Sequence, residues 1–209
     1  MGALQAEGCG NVNVEAIQIP GQKTSQPQLV GFGFEPSPLR ECLASLDRRG
    51  IGYGAPRPVY SRGPNGSTQT LFTNVTLRQF SDTEGPADAT IHIFLSEYSP
   101  TYVNVEQRRA SVHSELVASG GGPLGVDSMK EIVVGVSDLQ AARVLWQKLL
   151  DPLPPSAPNT WQVRSGPAIH LVRAERNSVQ ALVISVSSLQ RAATFLRKTG
   201  CSGVIRQMR

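Results

Sequence analysis

The chain has 209 residues, 40% hydrophobic and 17% charged, a composition that supports one generous core or two small ones. No stretch approaches the run of about 18 apolar residues that a membrane helix needs, and MGALQAEGCG lacks a basic segment followed by an apolar block, so a cytoplasmic protein is expected. The net charge of +4 gathers late, with eight Lys/Arg from residue 160 onward against Glu175 alone; aromatics are 6% and none interleave with these arginines, so no nucleic-acid partner is expected.

In chain order, residues 12–19 alternate as a strand with no helix before it. Residues 28–50 then read as strand, break and amphipathic helix, with Leu39, Cys42, Leu43 and Leu46 inward and Gly50 as the stop. Strands follow at 54–60, 67–80 and 89–98, with Gly63-Pro64-Asn65-Gly66 as a hairpin turn. Residues 104–122 form a helix that starts on Asn104 as N-cap, turns Val105, Val112 and Leu116 inward and ends in glycines; Arg108 and Arg109 fall on its solvated face.

Residues 131–150 repeat the strand–break–helix design. Asp138 is placed as N-cap, and Ala142, Leu145, Trp146 and Leu149 share one face. A Pro-rich connection leads to strands at 160–163 and 168–175, and residues 181–200 give the design again with Ser188 as cap. Leu39, Leu139 and Leu189 mark three copies at offsets of 100 and 50 residues. Cys9, Cys42 and Cys201 lie far apart, form no CxxC pair and are odd in number, so they are expected to be reduced and non-catalytic. No GxSxG, GxGxxG or Lys-Ser/Thr phosphate loop occurs.

The phrase MKEIVVGVSDLQAARVLWQKLL, and IHIFLSEYSP followed by a linker helix, resemble the vicinal-oxygen-chelate superfamily of glyoxalase, bleomycin-resistance and dioxygenase type. The resemblance implies an α+β fold of repeated βαβββ modules in curved, largely antiparallel sheets. Here the first module contributes only its final strand, and the last is shortened to strand and helix. The expected organisation is a first half at 1–103, a linker helix and Gly-rich turn at 104–127, and a second half at 128–209.

Members of that superfamily hold a divalent ion between the first and last strands of a module, with open positions for a substrate's adjacent oxygens. Carried over residue by residue, this implies Glu131, His170, Glu15 and Gln28 as metal ligands, for Zn, Fe, Mn, Ni or Mg if any ion is held. Arg164, Arg173 and His92 are the candidates for contact with a small-molecule ligand. The resemblance leaves three activities open: a metal-dependent lyase, isomerase or dioxygenase on a small oxygenated substrate, a metal-free sequestration protein, or a structural homodimer without ligand.

Overall fold

The computed structural model describes residues 11–13, 31–36, 38–62, 65–81, 91–164 and 166–199. The expected strand beyond residue 13, the candidates Glu15 and Gln28, the Gly63-Pro64 half of the hairpin turn, and Cys9, Gly200 and Cys201 lie outside them.

The first unit runs β2 (Gly31–Glu35), α1 (Leu39–Arg48), β3 (Arg57–Arg62), β4 (Thr68–Thr76) and β5 (His92–Tyr98). Its strands, joined at one edge by β1 (Asn11–Asn13), form a sheet in the order β1-β2-β5-β4-β3. First and last strands, β2 and β5, lie parallel, while the other pairs are antiparallel. After α2 (Val105–Ala118), the second unit runs β6 (Val126–Val136), α3 (Leu139–Leu150), β7 (Thr160–Gln162) and β8 (Ala168–Arg173). A further strand and helix follow, β9 (Ser178–Val186) and α4 (Leu189–Thr199). The second sheet has the order β7-β8-β6-β9, again with first and last strands of the unit, β6 and β8, parallel. The fold is therefore α+β, built on a repeated strand–helix unit with mixed sheets.

Local chemistry accounts for the helix starts. The Asp138 side chain accepts from the Ala141 N–H at 2.9 Å, Asn104 from Gln107 at 3.0 Å and Ser188 from Arg191 at 3.2 Å, each satisfying a donor that a helix N-terminus leaves open. Gly50 ends α1 at φ +61°, as its type allows.

One core spans both units. Trp146 of α3 stacks on Phe32 at 6.2 Å between ring centroids and meets Phe80 edge-on at 5.1 Å, both from the first unit. Around it lie Leu46, Ile93 and Leu95 of the first unit and Ile132, Val134 and Ile169 of the second. Arg49 also donates to the Leu149 carbonyl at 2.9 Å. Each sheet thus has an inner face turned to α1 or α3 and this shared core, and an outer face.

Three expectations are corrected. The strand carrying Glu131 starts at Val126, not near residue 131, because antiparallel pairing with β9 extends it upstream; Glu131 is interior to it. No residue of α2 is fully buried: Val105 and Leu116 are half-buried as the inward stripe expects, but Val112 is 53% exposed, because the helix lies against a sheet's outer side through Arg109 and Glu35 and is not enclosed in the core. Cys42, expected as a free thiol, is disulfide-bonded; an odd cysteine count excludes a complete framework but not a single bridge. Among the described residues no helix is long and apolar enough to cross a membrane.

Candidate ligand site on the second sheet

Alternation along β6 puts Ile132, Val134 and Val136 in the core and turns Glu131, Val133 and Gly135 to the outer face. On β8, Ile169 and Leu171 are inward and His170 outward. The parallel register pairs Val133 with His170 and Glu131 with Ala168, so Glu131 and His170 are diagonal neighbours on one face. Their side chains meet: His170 Nδ1 lies 3.0 Å from Glu131 Oε1, with His170 33% and Glu131 26% exposed. The two residues that the resemblance pairs as first-strand and last-strand ligands are thus adjacent.

A carboxylate can only accept a hydrogen bond, so facing Glu131 in that form Nδ1 is the donor, and in the neutral ring Nε2 is left as an acceptor. No hydrogen bond to Nε2 occurs among the described residues. The pair can therefore orient an imidazole towards an oxygenated ligand and exchange a proton with it.

Whether the same residues suit a divalent ion is a question of donor number. A catalytic metal site uses about three protein ligands plus an open position. Among the described residues no group of three His, Cys, Asp or Glu side chains converges, and Glu131 and His170 are joined to each other through the Nδ1 that one mode of ligation would need. These two alone do not fit such an ion; a site would need a further donor.

The other candidates lie elsewhere. Arg173 is three residues beyond His170, an odd interval, so it turns to the inner side, where it lines a surface basin with Arg143. Arg164 is exposed in the connection between β7 and β8. His92 sits on the first sheet, opposite Gly31, in the position that His170 holds on the second. Both histidines follow a buried Ile and precede a buried aliphatic residue, in Ile91-His92-Ile93 and Ile169-His170-Leu171. That repeated tripeptide is a sequence signal of their equivalence that reading each histidine singly misses.

Their surroundings differ. His92 packs beside Phe94 with ring centroids 5.2 Å apart, and burial pushes its pKa below the ordinary imidazole value. A Cβ on Gly33 would lie 2.5 Å from the Phe94 ring, so the aromatic side chain fills the space over β2. Further along the same face Glu35 forms an ion pair with Arg109 of α2. Burial raises the Glu35 pKa, and Arg109 offsets only part of that rise. The solvated role read for Arg109 is thus replaced by a specific pairing; the signal was a carboxylate within the apolar strand GFGFE, which needs a partner when buried.

No family model matches the chain, and no curated protein matches it. Among solved structures it is similar to a hypothetical protein from Staphylococcus aureus, with 8% identity over 82% of this chain and a TM-score of 0.50. It is also similar to a Mn(II)-bound glyoxalase from Novosphingobium aromaticivorans, with 12% identity over 86% of this chain and a TM-score of 0.46. The chain spans 62% and 54% of those two structures. At 8% identity the first likeness speaks of fold alone.

Proposed function

We propose that the chain is a glyoxalase-like protein that binds a small oxygenated molecule on the outer face of its second sheet, with Glu131 and His170 as the polar centre. The observation that carries this reading is the 3.0 Å contact between a first-strand carboxylate and a last-strand imidazole of one unit. Glu131 holds the ring in one orientation, and the outward imidazole nitrogen accepts a proton or hydrogen bond from the ligand. Binding without turnover and proton-transfer chemistry of the lyase or isomerase type both follow from this arrangement.

A second reading is favoured by the same topology. Glu131 and His170 occupy the positions that the vicinal-oxygen-chelate resemblance gives to metal ligands, and Glu15 or Gln28 would supply the further donor. A divalent ion would then act as a Lewis acid for the substrate's paired oxygens.

Elemental analysis of protein purified without added metal, followed by Mn²⁺ and Zn²⁺ titration calorimetry, separates the two. Under the first reading neither ion binds at micromolar concentration, and Glu131→Gln and His170→Ala leave the titrations flat. A stoichiometric ion lost in Glu131→Ala and His170→Ala selects the second. An ion retained in both variants refutes the assignment of this pair as its site.

A further inference from the structure

A separate cleft lies on the inner side of the second sheet, where the two units meet. A slot of about 200 Å³ is walled by Phe80 and Ile91 of the first unit and by Val134, Val136, Leu145 and Trp146 of the second. Its polar lining residues are Gln79, Ser137, Asp138 and Asn177. Ser137 and Asp138 also border the adjoining basin of about 550 Å³, which contains Arg143, Arg173, Gln140 and Asn159. Slot and basin therefore share a border at these two residues.

The chemistry of the two compartments is complementary to one kind of molecule. An apolar cavity of about 150 Å³ is enough to take up a benzene ring. In the basin two guanidinium groups face one carboxylate, that of Asp138, which already accepts from the Ala141 N–H at 2.9 Å. Neither Arg143 nor Arg173 has an acidic partner among the described residues. Arginine offers a carboxylate two parallel donors, which makes it the side chain suited to this head group.

We infer that this cleft is a second ligand site, for a small carboxylate with a single ring or short alkyl body: the body in the slot, the head group on Arg143 and Arg173. It is independent of Glu131 and His170, which open on the opposite face of the sheet.

The probe is 3-phenylpropionate, titrated into the full chain by calorimetry and by NMR line broadening of the ligand, with neutral 3-phenylpropionamide beside it. The acid binds more tightly than the amide. In Arg143→Gln/Arg173→Gln the acid weakens about tenfold or more, the amide is unchanged, and the preference disappears. Ala142→Leu narrows the slot and weakens both; if that variant fails to fold, the arginine comparison still decides. Glu131→Ala leaves binding intact. Three results overturn the inference: no binding of the acid at millimolar concentration, equal affinity for acid and amide, or loss of binding in Glu131→Ala, which moves the ligand to the outer face.

Discussion

Replacing Trp146 by alanine tests whether the two units share one core. The indole is 3% exposed and lies within 6.4 Å, between ring centroids, of Phe32, Phe34 and Phe80, all from the other unit. Removing a buried Trp costs about 3–5 kcal/mol, from lost transfer free energy plus the cavity that neighbours cannot close. Phe32 and Phe34 are fixed on a strand and Phe80 follows another, so collapse around the void is limited and the upper half of that range is expected. Against a typical total of 5–15 kcal/mol, this is a large fraction. Urea unfolding followed by far-UV circular dichroism measures it without relying on the fluorescence that the substitution removes. Val144→Ala, on the 64% exposed side of the same helix, is the control and should shift stability by no more than about 0.5 kcal/mol. A Trp146→Ala loss below about 1 kcal/mol at unchanged denaturant slope would refute the shared core.

Three further outcomes are expected. Because burial holds the Glu35 pKa above its ordinary value of 4.5, the folded state binds that proton more tightly than the unfolded chain. Stability of the wild type relative to Glu35→Gln should therefore rise as pH falls from 7 towards 4 and be lost as pH climbs through the folded value; a relative loss on acidification would mean that the Arg109 pairing dominates instead. Gly122→Ala should cost about 1–2 kcal/mol, since φ is +63° but no atom lies within 4 Å of the added carbon, whereas Gly121→Ala at φ +73° meets the Val126 nitrogen at 2.2 Å and should cost at least twice as much in the same urea assay. With Cys42 bridged, thiol titration of unreduced, denatured protein should find one free thiol per chain and three after reduction; three before reduction would remove the disulfide and restore the expectation of reduced cysteines.

The repeat was legible because its signals are local. Leu39, Leu139 and Leu189 start three helices, and Asp138, Asn104 and Ser188 cap as their residue types suggest. That Glu131 and His170 should face each other was implied by the resemblance, and the parallel pairing of first and last strands makes them neighbours. What sequence did not reveal depends on partners distant along the chain. Pairing with β9 lengthens β6 upstream of Glu131, and no periodicity within residues 126–130 announces it. The helical spacing of Val105, Val112 and Leu116 was read as an inward stripe; Val105 and Leu116 are half-buried, but spacing alone does not supply a surface to cover Val112. Arg173 was read as a ligand contact alongside the Glu131 and His170 site, although counting from His170 turns it to the other face.

The seam around Trp146 also bears on what the linker does. Residues 104–125 join the halves covalently, yet α2 buries none of its side chains fully and the core passes from Phe32 to Trp146 without it. Tethering and cohesion are thus carried by different parts of the molecule. A protease that nicks the glycine turn at Gly120–Gly122 would cut the tether and leave the cohesion, giving two peptides that migrate as one particle until denatured. Neither half, produced alone, would keep Trp146 out of water.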